Sequence, residues 1–190
     1  MGAFLYGVSL QWKLDIRSKT LLITCYIVPL LFFGIMGGIF TSVIPGAGDT
    51  LIQSMTVFGV TMGALLGLPP SLVEIYGSDI KKVYLANGVP LYLGIALTNI
   101  SAFIHLFIMC IILYIAAPLA FDAKIPENPG VYFASLSIFI AVSLGIASII
   151  GLALKDQAKT SMFSIIVFCP QSCFLELCSR LRCSPNCLKQ

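Results

Sequence analysis

Charged residues are scarce in this sequence. Asp, Glu, Lys and Arg together make up 10% of the 190 residues, whereas hydrophobic residues make up 58% and the mean hydropathy is +1.00. Soluble domains typically carry about 25% charged residues, so this chain cannot cover a water-exposed surface of its size. The sequence therefore predicts an integral membrane protein that is solvated by membrane lipids over much of its area.

Basic clusters and catalytic motifs are also missing. The net charge is only +3, and the basic residues do not form the kind of run that binds nucleic acid. The sequence has one His and no HExxH, GxSxG or GxxxxGK[ST] motif, the patterns typical of metalloproteases, serine hydrolases and P-loop NTPases. We therefore expect no nucleic-acid partner, no enzyme activity and no cofactor of its own.

What the chain does have is a series of long apolar segments. A helix needs roughly 20 apolar residues to cross the hydrocarbon core, and its backbone polar groups are satisfied within the helix. Four segments meet this requirement: 21–44, 51–73, 91–121 and 131–155. A fifth begins at Thr160 and loses its apolar character near Gln171. The sequence thus predicts an all-α membrane protein, a multispan helical bundle of about five transmembrane helices, with the long third one tilted or broken near Pro118.

Basic residues are distributed unevenly between the predicted loops. If the N-terminus is cytoplasmic, that side holds seven of them, whereas the other side holds only Lys124 before residue 169. The seven are Lys13, Arg17, Lys19, Lys81, Lys82, Lys155 and Lys159. Cytoplasmic loops of membrane proteins carry an excess of Lys and Arg, so we expect the N-terminus to be cytoplasmic.

Residues 1–20 precede the first predicted span. Their alternating apolar pattern is compatible with a strand, but a helix places Leu5, Val8, Trp12 and Ile16 on one face. An apolar face with a Trp, next to basic residues, is typical of a helix that lies flat in the membrane interface. We favour such a cytoplasmic interfacial helix over an ordinary polar flank.

Residues 74–90 form the longest polar stretch between two predicted spans. Apolar residues punctuate its charged ones, and glycine and proline limit any helix within it. Its notable residues are Glu74, Gly77, Asp79, Lys81, Lys82 and Tyr84. A short amphipathic element of this kind suits docking to a soluble partner, and a solvated linker is equally consistent with the spacing.

Three polar residues, Asn99, Ser101 and His105, lie inside the third predicted span. Polar groups in hydrocarbon need partners, so such residues usually face the bundle interior or a water-filled translocation path. His105 has the chemistry to relay protons or to contact a substrate. The simpler alternative is that His105 forms a hydrogen bond with a neighbouring helix.

Two segments of the chain resemble type-2 ABC transporter permeases. LDIRSKTLLITCYIVPLLFFGIM resembles the opening of that family, where a charged interfacial helix leads into a first span with a proline, here Pro29. LPPSLVEIYGSDIKKVYLANGVPLYLGIALTNI resembles its second-span exit, cytoplasmic loop and third-span entry. The matching loop positions are Glu74, Gly77, Lys81, Lys82, Tyr84, Leu85 and Pro90. The resemblance covers residues 10–168.

The resemblance implies a permease domain over residues 21–168 of an ATP-driven exporter in the plasma membrane. Such a subunit pairs with a second permease and with cytoplasmic ATP-binding ABC subunits. The interfacial helix and the 74–90 loop would contact the ATPase, and the cargo would be a drug, a peptide, a polysaccharide or a lipid. The alternatives are a non-transporting membrane immunity or assembly protein and an inactive truncated permease fragment.

Residues 169–190 depart from the family pattern, which has an outer hairpin with an SGIMFP-like string and a sixth span here. This tail holds five of the seven cysteines, in the spacing C-x3-C-x4-C-x4-C-x3-C. That spacing is a poor match to zinc sites, and five is an odd number for a disulfide framework. Codons chosen for residues 173–183 encode FSGIMFPAE in a shifted frame. We therefore favour a frameshift near Phe168, which the nucleotide sequence of the gene tests.

Overall fold

The computed structural model describes most of the chain. The backbone is described for residues 2–43, 48, 50–77, 91–126, 128–154 and 156–182. Side chains are described for residues 6–19, 21–43, 48, 50–73, 92–126, 128–154 and 156–169. Loop residues Asp79, Lys81, Lys82 and Tyr84 lie outside these ranges, and of Glu74 and Gly77 only the helical backbone is described.

Helices account for nearly all of the described chain, and these residues contain no strand. In chain order they are α1 (Gly2–Arg17), α2 (Lys19–Leu22), α3 (Val28–Val43), α4 (Leu51–Met62), α5 (Leu68–Gly77), α6 (Leu91–Phe121), α7 (Pro129–Ala153) and α8 (Gln157–Arg182). Two π-helical segments, Ile23–Ile27 and Gly63–Gly67, connect α2 to α3 and α4 to α5 without a break. The all-α, multispan helical bundle predicted from the sequence is confirmed.

Four stretches of helix in the described residues are long and apolar enough to cross a membrane. We refer to Ile23–Val43, Leu51–Val73, Tyr92–Phe121 and Pro129–Ala153 as the first to fourth spans. The third remains one helix, with Pro118 inside its last turns, so it is not broken there. Helix α8 continues for 26 residues from Gln157. Whether it is a fifth span, and on which side of the membrane the N-terminus lies, stay predictions.

Each π-helical segment lies just before a proline. Pro29 follows Ile23–Ile27, and Pro69 follows Gly63–Gly67. Proline has no N–H to donate to the preceding turn and its ring crowds that turn, so the helix widens locally instead of keeping regular α-helical hydrogen bonds. Val28 N–H, for example, bonds to the carbonyl of Ile23, five residues earlier. Single π turns of this kind occur frequently at functional sites.

The second span is the most enclosed of the four. Its buried residues, such as Leu65 and Leu72, pack in one core with Leu106, Met109 and Ile140 of the third and fourth spans. Lipid tails are as apolar as these side chains, so close packing rather than the hydrophobic effect holds membrane helices together.

Gly151 marks a close approach between the second and fourth spans. A Cβ added to Gly151 would lie 3.1 Å from the Cα of Pro69 and 3.1 Å from the Cβ of Leu72. Only a residue without a side chain leaves room for the backbones to come this close. The absence of a side chain at position 151 therefore sets the spacing between these two helices.

Candidate functional site

Helix α1 packs against the third span over three successive turns of that span. Gly7 lies against the side chain of Leu97, Asp15 bonds to Ser101, and Trp12 contacts His105. Positions 97, 101 and 105 are four residues apart and therefore share one face of the helix. Helix α1 is thus part of the bundle. Ile16, which the sequence pattern placed on the apolar face, is exposed.

Asp15 is the charged residue at the centre of this contact. Its side chain is only 7% exposed. The Gln11 Nε2 donates to Asp15 Oδ1 over 2.9 Å, one turn earlier in α1, and the Ser101 hydroxyl donates to Asp15 Oδ2. A buried charge without partners is costly. These two bonds supply partners for the carboxylate and hold it between α1 and the third span.

His105 joins α1 to two spans. The Trp12 ring stacks on the His105 ring with a centroid distance of 4.3 Å and an interplanar angle of 5°. The Tyr26 hydroxyl, from the π-helical segment of the first span, lies 2.8 Å from His105 Nδ1. His105 Nε2 is buried and has no hydrogen-bond partner among the described residues. His105 therefore forms a hydrogen bond with a neighbouring helix, which is the simpler of the two alternatives given in the sequence analysis.

Asn99 connects the third span to the fourth. Its amide nitrogen donates to the carbonyl of Ile95 over 2.9 Å, and the Ser148 hydroxyl donates to Asn99 Oδ1 over 2.8 Å. Asn99, Ser101 and His105 thus lie in contacts with three different helical elements. Their predicted place on a translocation path remains a prediction.

A cavity of about 350 Å³ lies between α1 and the first three spans. Its polar lining includes Gln11 and Asp15 of α1, Ser18, Ser71 and Thr98, and its apolar lining includes Leu14, Leu21, Leu68 and Leu106. The third span contributes Thr98, Ala102 and Leu106 to this wall. The cavity lies next to the polar cluster formed by Asp15 and its partners.

Both π-helical segments border this cavity. Cys25 lines it from the first, and Gly63 and Gly67 line it from the second. The glycines bring backbone rather than side chain to the wall, and Leu106 occupies the space beside Gly63. The irregular turns and the cavity therefore occur together, where α1 meets the spans.

Asp15 and Tyr26 were not predicted as site residues from the sequence, and neither was the contact between Trp12 and His105. Two signals were available: Asp15 is the first acidic residue of the chain, and Gln11 precedes it by the one-turn spacing at which helical side chains meet. Neither identifies Ser101 or His105 as the partner, since that depends on how α1 crosses the third span.

Metal-binding groups and reactive thiols are the other kinds of chemical site to consider in the described residues. These residues contain no group of three or more His, Cys, Asp or Glu side chains that could hold a metal ion. Cys25, Cys110 and Cys169 are free thiols, and Cys169 is exposed. The other tail cysteines have no described side chains. The candidate site is therefore the cavity with its adjoining polar cluster.

Comparisons with protein-family models, with curated proteins and with solved structures give no match. What these observations establish is a membrane protein built as a multispan helical bundle, with a cavity of mixed polar and apolar lining beneath its first helix.

Proposed function

We propose that this protein is the transmembrane permease subunit of an ATP-driven ABC-type exporter in the plasma membrane. The observation that carries the proposal is the position of α1. This helix precedes the first span, is tied to the third span through Asp15 and Trp12, and forms one wall of the cavity. A displacement of α1 would therefore change the shape of the cavity.

The proposed mechanism uses α1 and the 74–90 loop as the surfaces that contact a cytoplasmic ATPase. When the ATPase subunits close, α1 and the loop move relative to the spans. The contacts of Asp15 with Ser101 and of Trp12 with His105 transmit this motion to the third span. Alternating exposure of a binding region then moves the cargo, and a second permease subunit completes the path.

The polar residues around the cavity support this interpretation. Intramembrane polar residues usually face a bundle interior or a water-filled path because they are costly in lipid. Here several polar groups, among them Asp15, Ser71 and Thr98, lie around one cavity inside the bundle. In the proposed mechanism the chain supplies the path and its gates, and the partner supplies the energy of ATP hydrolysis.

Co-purification from native membranes tests the proposal. We expect the tagged chain to carry an ATP-hydrolysing subunit, and the double variant Lys81→Glu/Lys82→Glu to lose it. Lys124→Glu, on the predicted opposite side of the membrane, is the matched control and should keep the ATPase.

The proposal fails if the chain purifies without ATPase activity, or if the loop variant keeps as much activity as the control. A stable complex with a partner that does not hydrolyse ATP would instead favour a non-transporting immunity or assembly protein.

A further inference from the structure

We propose that the cavity beneath α1 binds a primary ammonium group carried on a small apolar body. The inference goes beyond the proposed function because it concerns binding alone and needs neither an ATPase nor transport. It rests on the charge, the hydrogen-bonding groups and the size of the cavity.

The charge comes from Asp15. This side chain lines the cavity and is 7% exposed, yet its hydrogen-bond partners, Gln11 and Ser101, are both neutral. The nearest basic residues in the sequence, Lys13 and Arg17, are on the exposed side of α1. A buried charge is normally paired with an opposite one. A cationic ligand in the cavity would supply the pairing that the described residues do not.

Two further polar groups of the cavity, Ser71 and Thr98, are arranged as acceptors. The Ser71 hydroxyl donates to the carbonyl of Gly67 over 3.1 Å, and the Thr98 hydroxyl donates to the carbonyl of Gly94 over 3.0 Å. Each hydroxyl proton is thereby used within its own helix, and the oxygen is left able to accept a bond. A carboxylate has about four acceptor positions, of which Gln11 and Ser101 use one each. An ammonium group, which has N–H donors and no acceptor, matches this set.

The remaining wall defines the rest of the ligand. Leu14, Leu21, Leu68 and Leu106 face the same space, so the body that carries the ammonium group is apolar. A volume of about 350 Å³ is at the lower end of the range for small-molecule sites, roughly 300–1,000 Å³. The ligand is therefore small, or it is the ammonium headgroup and first carbons of a lipid.

Phenethylammonium is a suitable probe, and phenethyl alcohol is its neutral counterpart. Binding of tritiated phenethylammonium is measured on the purified full chain in phosphatidylcholine nanodiscs. Asp15→Asn removes the charge while keeping an acceptor for Ser101, and Gln11 can reverse its amide to match. Ala102→Leu fills the cavity and leaves the charge in place. Asp156→Asn, at an exposed acidic residue, is the control.

We expect saturable binding to the wild type and to Asp156→Asn. Asp15→Asn should weaken binding by roughly tenfold or more, as expected for loss of a hydrogen bond to a charged group. Ala102→Leu should weaken it by a similar factor, because the larger side chain occupies the space for the ligand. The alcohol should compete at least about tenfold more weakly than the amine.

The proposal is overturned if wild-type binding is not saturable, if the alcohol competes as well as the amine, or if either folded cavity variant binds like the control. Should Asp15→Asn not fold, Ala102→Leu and the alcohol decide the matter. Repeating the measurement with phosphatidylethanolamine in the nanodiscs identifies the source of the ammonium group. Competition by this lipid indicates a lipid headgroup, and its absence indicates a free amine; both outcomes keep the proposal.

Discussion

Replacing Ser101 by Ala is expected to loosen α1 from the third span. The change removes the hydroxyl that donates to Asp15 Oδ2 and leaves a buried carboxylate oxygen without that partner. A hydrogen bond to a charged group is worth about 1.5–3 kcal/mol. Since about 1.4 kcal/mol corresponds to a factor of ten, the population of undocked α1 should rise roughly 10- to 150-fold.

Limited trypsin digestion measures this population. Lys13, Arg17 and Lys19 are exposed, but they lie in helix, and cleavage requires local unwinding. When opening and closing are faster than cleavage, the rate follows the population of the open form. The digestion is carried out on the protein in nanodiscs, and mass spectrometry measures the rate at which the N-terminal residues are removed. This rate should be higher in Ser101→Ala by the same factor.

Ser9→Ala is the matched control, because it deletes the same hydroxyl group from an exposed position of α1. This variant should be cleaved at the wild-type rate. Equal cleavage rates for Ser101→Ala and Ser9→Ala would show that the bond between Asp15 and Ser101 does not hold α1 in place, and would refute the reasoning.

Two further variants test the contacts of His105 and of the fourth span. Tyr26→Phe removes the hydroxyl beside His105 Nδ1 and should destabilise the protein by about 1 kcal/mol, as measured by unfolding in a titration with sodium dodecyl sulfate. Tyr92→Phe, at an exposed Tyr, should not change the stability. Equal unfolding midpoints for the two variants would contradict the assignment. Gly151→Val should cost about 1–3 kcal/mol through overpacking in the same titration, whereas Gly145→Val, where an added Cβ meets nothing within 4 Å, should be tolerated. Similar costs at both glycines would show that position 151 does not set the helix spacing.

The spans were predictable from the sequence because lipid places a simple demand on them. A crossing helix must be long and apolar, and the predicted segments 51–73 and 91–121 coincide with the second span and with α6. Pro118 lies inside α6, which continues past it to Phe121, so this proline did not break the helix.

The orientation of α1 was harder to predict. Apolar periodicity places the apolar face of a surface helix toward its support, which favoured Val8, Trp12 and Ile16. In the structure the residues that contact the third span include Trp12 but also Asp15, and Ile16 is exposed. A polar residue faces the other helices when a partner such as Ser101 is available there and the surrounding lipid is apolar. Amphipathicity alone therefore does not orient such a helix.

The cavity could not be predicted, because it depends on where four helical elements meet. The prolines at positions 29 and 69 indicate local irregularity in a helix, but not that each is preceded by a π turn. Nor does the sequence indicate that Cys25, Gly63 and Gly67 from those turns lie around one space. The proposed ATPase contact in the 74–90 loop depends on a partner and stays a prediction.

The most direct test of the central claim, that this helical bundle is embedded in a bilayer, uses one tryptophan. Val142 is exposed on the fourth span, near its middle, and Trp12→Phe removes the only native Trp. In the double variant Trp12→Phe/Val142→Trp, we predict that lipids brominated on their acyl chains quench the fluorescence strongly and that aqueous acrylamide does not. Strong quenching by acrylamide without quenching by brominated lipid would place this face in water and contradict the account.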